Sequence, residues 1–131
     1  MYQRTVLIVE DEPLIRMILA DSLEDEGYAV VEAGTALEAI GLLGTRTIDA
    51  VITDIDMPGG LNGLDVARYV ASCKKDVPVI VTSGGHVIDD GELVGNARFI
   101  AKPYDLRCVL NMMVEMGSCS HRNPLREIRV A

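Results

Sequence analysis

Short apolar runs and longer amphipathic runs alternate from one end of this chain to the other. Thr5–Val9 (TVLIV), Ile48–Thr53 (IDAVIT) and Val77–Thr82 (VPVIVT) are rich in β-branched residues and apolar on both faces. That is the pattern of central strands in a parallel sheet covered on both sides. Tyr28–Glu32 (YAVVE) and Ala97–Ala101 (ARFIA) are weaker versions. The segments between them carry helix-start signals: Pro13 suits a first helical position, Thr35-x-x-Glu38 reads as a capping box, and Asn62 can cap a helix with Asp65 in its first turn. The first helix, from about Glu12 to Glu26, places Leu14, Ile18 and Leu23 along one stripe, and Gly27 stops it. The last begins after Pro103 and carries Leu106, Val109, Leu110 and Met113 to about Met116. The βα unit thus repeats five times, which predicts an α/β fold with a doubly wound five-stranded sheet.

Two stretches break the pattern. Gly84, Gly85, Gly91 and Gly95 crowd the segment before the fifth strand, so any helix there is expected to be short or frayed. From Gly117 onward, GSCSHRNPLREIRVA has too few apolar residues for a core element, although Arg122, Arg126 and Arg129 make it locally basic. The expected organisation is one domain over residues 1–116 and a flexible tail over 117–131, the alternative for the tail being a docking peptide.

The bulk properties narrow the class. At 131 residues the chain has room for a single core. Its 49% hydrophobic content excludes wholesale disorder. A formal net charge of −8 argues against a nucleic-acid partner, which would require a basic face, and favours a cationic metal or a basic protein surface. Cys73, Cys108 and Cys119 are odd in number and widely spaced, which fits reduced thiols and neither a disulfide framework nor a zinc site. No run approaches the length of a membrane span, and the N-terminus lacks a signal-peptide core, so a cytoplasmic protein with no membrane partner is expected.

The candidate chemistry stands where the predicted strands end. Strand one runs into Glu10-Asp11, strand three into Asp54, strand four into Ser83 and strand five into Lys102. Parallel strands bring these ends to one edge of the sheet, the edge where open α/β sheets bind ligands. Three carboxylates crowded together repel one another, and a hard divalent cation with oxygen ligands relieves them. An Asp carboxylate is ionised at neutral pH and can attack phosphorus without a base, with metal and Lys102 stabilising the phosphoryl oxygens. Ser83 can donate a hydrogen bond to one of those oxygens, and Gly84 leaves space beside it. Each residue taken singly has a plainer reading as turn, cap or helix-terminal acid; their coincidence at four strand ends favours the chemical one.

LIVEDEP, ITDIDMP followed by NGLDV, PVIVTSG and FIAKPYD, in this order and spacing, resemble the receiver domain of two-component response regulators. The resemblance covers about residues 5 to 116 and implies a flavodoxin-like sheet of strand order 2-1-3-4-5 with about five helices. It implies that Asp54 is the phosphoacceptor, taking a phosphoryl group from phosphohistidine on a histidine kinase or histidine phosphotransferase. Glu10, Asp11, Asp54 and the backbone carbonyl of Asp56 would hold Mg²⁺ or Mn²⁺. Ser83 falls at the family's hydroxyl switch position, Phe99 at its aromatic switch position and Lys102 at its lysine, with the Lys102–Pro103 bond cis. The setting implied is the bacterial cytoplasm. With no output domain in evidence, such a chain would act on a separate downstream protein or relay phosphoryl groups, not work as an enzyme beyond its own phosphorylation and dephosphorylation.

Several features depart from the family pattern. Only eighteen residues lie between Ser83 and Lys102, short for a loop, a full fourth helix and a strand. Gly59-Gly60 lengthen the loop after Asp54, Asp56 puts an acid within reach of the metal or an attacking water, and His86 follows Ser83 in a loop where it could meet a partner's phosphohistidine. Two other readings remain at this point. Asp54-Ile55-Asp56 is the D-x-D of aspartate-nucleophile phosphatases, though there it follows the first strand and a cap covers the site. The other is a receiver-like adaptor that signals without phosphate.

Overall fold

The computed structural model describes residues 3–57, 59–85, 93 and 95–120. Five parallel strands, β1 (Thr5–Val9), β2 (Ala29–Ala33), β3 (Ala50–Asp54), β4 (Val79–Ser83) and β5 (Ala97–Ala101), form one sheet in the order β2-β1-β3-β4-β5. Four helices accompany them among the described residues: α1 (Pro13–Asp25), α2 (Ala36–Thr45), α3 (Gly63–Cys73) and α4 (Leu106–Ser120). The architecture is the flavodoxin-like one expected. The short fourth helix expected between Gly84 and Asn96 falls on a stretch of which residues 86–92 and 94, His86 among them, lie outside the described residues, as does the tail beyond residue 120.

Alternation along each strand sorts the core into two layers. Leu7 and Val9, with Val51, Val79 and Val81, face α2 and α3, where Ala39, Leu43, Val66 and Val70 complete a buried cluster. Val6 and Ile8, with Ile52 and Ile80, face α1 and α4, against Leu19, Leu23, Val109, Met113 and Met116. Strands buried on both faces explain why the central runs read as continuous apolar stretches. Each fully buried Leu, Ile or Val contributes roughly 1.5–3 kcal/mol.

Helix starts follow local hydrogen-bond chemistry. Pro13 begins α1. Thr35 Oγ1 accepts from the Glu38 N–H at 3.1 Å, while Glu38 Oε1 reaches one residue past the cap to accept from the Gly34 N–H at 2.8 Å. At α3 the exchange is reciprocal: Asn62 Oδ1 accepts from the Leu64 and Asp65 N–H groups, and Asp65 Oδ2 accepts from the Asn62 N–H at 2.8 Å. Gly27, with φ +97°, turns the chain out of α1 in a conformation that side-chain-bearing residues resist.

Three expectations need correction. The buried stripe of α1 is Leu19, Ala20 and Leu23, whereas Leu14 and Ile18 are 62% and 47% exposed. Five residues separate Ile18 from Leu23, about 140° around a helix of 3.6 residues per turn, so the two never shared a face. Strands β2, β3 and β4 each start and end one or two residues later than their apolar runs suggested; β4 starts at Val79 because Pro78 has no N–H to pair. The last helix continues past Met116 to Ser120. No helix among the described residues is long and apolar enough to cross a membrane.

Candidate functional site

The carboxyl ends of β1, β3, β4 and β5 converge at one edge of the sheet. Glu10 follows β1, its N–H donating to the Ala33 carbonyl at 3.0 Å, and its Oε2 accepts from the Glu12 N–H at 3.1 Å. Asp54 is the last residue of β3, paired with Thr82 of β4 and buried at 5% exposure. Lys102 follows β5; its N–H donates to the Ser83 carbonyl at 2.9 Å, and the peptide that joins it to Pro103 is cis.

Lys102 Nζ sits between two acids, 3.2 Å from Glu10 Oε1 and 3.3 Å from Asp54 Oδ2. Glu10, Asp11 and Asp54 each bring a carboxylate oxygen within 4.8 Å of the other two, a spacing at which one cation can meet all three. Asp11 is the most open to solvent of the trio. Three acids against one lysine leave the centre strongly negative. Burial, more than any other cause, pushes the carboxyls of Glu10 and Asp54 above the usual range, with Lys102 pulling the other way. Burial would lower Lys102, yet Asp54 and Glu10 outweigh it and hold its ammonium more tightly protonated than usual.

Ser83, 1% exposed, has its hydroxyl beside Asp56: the Ser83 O–H donates to Asp56 Oδ2 at 2.7 Å and accepts from the Gly85 N–H at 3.2 Å. The Asp56 N–H donates in turn to Asp54 Oδ1 at 3.4 Å. Phe99 stands three residues before Lys102, paired with Val81, and packs half-buried against the α2/α3 side of the core. A cleft of about 600 Å³ adjoins the site, lined by Ile15, Ile18, Gly84, Lys102, Pro103 and Tyr104 among others. Thus the acids and lysine singled out in the sequence meet, while Ser83 and Asp56 form a pair at their flank.

Two supporting residues were not visible in the sequence. Arg16 on α1 donates from Nη1 to the Glu10 carbonyl at 2.6 Å and from Nε to Glu32 Oε1 at 3.2 Å, tying the acidic strand end to α1 and β2. Gly63, the first residue of α3, lies directly under the Asp54 peptide: a Cβ there would stand 2.8 Å from the Asp54 carbonyl carbon and 2.9 Å from Ile55 Cα, with the Asp54 oxygen nearer still. A glycine after the Asn cap was the one available sign, and alone it says little. Arg16 had none, because its partners come from other elements.

A crevice of acids at the carboxyl edge of a doubly wound five-stranded sheet, crossed by the lysine that follows the last strand, places the chain among flavodoxin-like α/β domains with a ligand crevice at the strand ends. The chain matches the response regulator receiver domain family over residues 6–113 and belongs to that family. It is similar to the transcriptional regulatory protein PdtaR of Mycobacterium tuberculosis, 39% identical over 107 residues that cover 79% of this chain and 51% of the relative. The CAI-1 autoinducer sensor kinase/phosphatase CqsS of Vibrio cholerae is 34% identical over 84% of this chain and 17% of its own length. This chain therefore spans about half of PdtaR and a smaller part of CqsS. Among solved structures, the response regulator protein TrrA from Thermotoga maritima, in complex with Mg²⁺ and BeF, superimposes with a TM-score of 0.79 at 29% identity, covering 87% of this chain and 99% of that one.

Proposed function

We propose that this receiver domain takes one phosphoryl group from a phosphohistidine on a histidine kinase or histidine phosphotransferase onto Asp54, and that the modification changes which protein it binds or passes the group along a relay. The observation that carries this reading is the bridging of Asp54 and Glu10 by Lys102 Nζ, at 3.3 and 3.2 Å, within an acidic trio spaced for one cation. An Asp54 carboxylate oxygen attacks phosphorus, the P–N bond to the donor imidazole breaks, and the imidazole keeps the bond's electron pair. Mg²⁺, or Mn²⁺, held by Glu10, Asp11, Asp54 and the Asp56 carbonyl, would neutralise charge on the phosphoryl oxygens. The donor set, all hard oxygen, suits those ions. Lys102 stays protonated and meets the developing charge from the opposite side.

Ser83 and Phe99 are assigned the switch, the hydroxyl turning toward the new phosphoryl group and the ring following it. The cleft beside Lys102 gives a donor protein's surface access to the site. A cytosolic setting in a bacterial cell agrees with the exposed, unpaired thiols of Cys73 and Cys108. Any activity beyond accepting and losing phosphate lies outside this domain, and its net charge of −8 speaks against the domain itself gripping nucleic acid. Incubation with Mg²⁺ and a small acyl phosphate, followed by intact mass measurement, tests the reading. One added phosphoryl group is expected in the native chain and none in Asp54→Asn; equal addition to both, or none to the native chain, refutes it.

A further inference from the structure

The resting site contains a hydrogen bond that a phosphorylated site has to break. At 2.7 Å the Ser83 hydroxyl donates to an Asp56 carboxylate oxygen, while its own oxygen accepts from the Gly85 N–H at 3.2 Å. A serine hydroxyl has one proton to give, and a short bond to an ionised carboxylate is one of the stronger uses for it. The Ser83 backbone is fixed against β5: it pairs with Ala101, and its carbonyl accepts from the Lys102 N–H at 2.9 Å. Only the side chain is left to reorient. Asp56, in contrast, is exposed.

We propose that Asp56 is a positioning residue that holds Ser83 in the resting state, its carboxylate competing with a phosphoryl group on Asp54 for the Ser83 proton. The inference rests on the reading of Asp54 as phosphoacceptor. A phosphoryl group there brings roughly −1.5 to −2 charges and three acceptor oxygens, so it both attracts the Ser83 hydroxyl and repels the Asp56 carboxylate. Asp56 then sets how readily the site accepts the group, because every phosphorylation has to take Ser83 from it. An asparagine at this position keeps an acceptor oxygen for Ser83 while losing the charge, whereas an alanine keeps neither.

Two measurements test this. In the metal-free protein, three-bond couplings report the Ser83 side-chain rotamer; the same dominant rotamer is expected in the native chain and in Asp56→Asn, and a shifted rotamer population in Asp56→Ala, where the Gly85 N–H bond remains. Unchanged couplings in Asp56→Ala overturn the proposal. The second is a double-mutant cycle on the affinity for beryllofluoride with Mg²⁺. Asp56→Ala is expected to tighten binding roughly tenfold more in the Ser83 background than in Ser83→Ala, since only the first contains the bond to be broken. Equal tightening in both backgrounds would mean that Asp56 acts by charge alone, and the proposal fails. If the native chain binds no beryllofluoride, the phosphoacceptor reading falls with it, and the rotamer measurement alone decides whether Asp56 holds Ser83.

Discussion

Replacing Asp54 by Asn should make the metal-free protein more stable, although it removes the group on which the proposed function depends. Lys102 at 3.3 Å attracts the Asp54 carboxylate by about 5 kcal/mol at an effective dielectric of about 20. Glu10 and Asp11, with oxygens within 4.8 Å, each repel it by at least about 3.5 kcal/mol at the same dielectric. About 7 of repulsion against about 5 of attraction leaves about 2 kcal/mol unfavourable, before the cost of burying the charge. The asparagine oxygen can still accept from Lys102, so little is lost in exchange. For a domain of this size, about 2 kcal/mol corresponds to roughly 7 °C in melting temperature. Thermal unfolding followed by circular dichroism at neutral pH, low salt and with chelator should therefore place Asp54→Asn several degrees above the native chain. Millimolar Mg²⁺ should raise the native chain more than the variant and close the gap, because the variant has lost a ligand. A variant that melts at or below the native temperature without divalent ions would show that the trio is not under the strain deduced from its spacing.

The raised carboxyls of Glu10 and Asp54 make a related pH prediction. In this direction the folded state holds protons more firmly than the unfolded one, so stability falls as pH rises from about 4 through the raised values, and the full penalty stands at neutral pH. With chelator present, the gap between Asp54→Asn and the native chain should narrow on acidification from pH 7 to 5, and a constant gap in melts across that range would contradict this. Gly63→Ala should cost about 1–3 kcal/mol in urea unfolding and slow phosphorylation, as its Cβ must displace the Asp54–Ile55 backbone; an unaffected phosphorylation rate would show that this backbone yields without moving the carboxylate. Lys102→Ala should slow phosphorylation by a small acyl phosphate about 100-fold or more, read by mass against time, and a smaller loss would move the charge stabilisation elsewhere. Arg16→Ala should lose about 1–2 kcal/mol of stability, since the Glu10 carbonyl loses a charged donor at 2.6 Å; denaturant midpoints identical to the native chain would show water replacing it.

Much of this molecule could be read from its sequence because the relevant signals are local. Val6 to Val9 and Val79 to Val81 are buried on both faces, so continuous apolar runs marked central strands without any knowledge of their neighbours. Glu10, Asp54, Ser83 and Lys102 came into view together because parallel strands put their last residues at one edge, a consequence of topology that needs no coordinates. The stripe on α1 is harder to read, because many apolar residues crowd Leu14 to Leu19 and composition alone does not choose a face; burial selects Leu19, Ala20 and Leu23. What stayed hidden was relational. Nothing local says that Arg16 reaches the Glu10 carbonyl, or that Asp56 takes the Ser83 hydroxyl from across the strand ends. The place of Asp56, two residues after Asp54, suggests reach to a metal or a water; its hydrogen bond to Ser83 spans 27 residues and leaves no sequence signal.

Locating the phosphoryl group tests the central claim most directly. Borohydride reduces an aspartyl phosphate to homoserine, which peptide mapping then assigns to a position in the chain. After treatment with a small acyl phosphate, homoserine should appear at position 54 alone, only when Mg²⁺ or Mn²⁺ was present, and hardly at all in Lys102→Ala. Homoserine at position 11 or 56, or at 54 with no dependence on the divalent ion, would contradict the account.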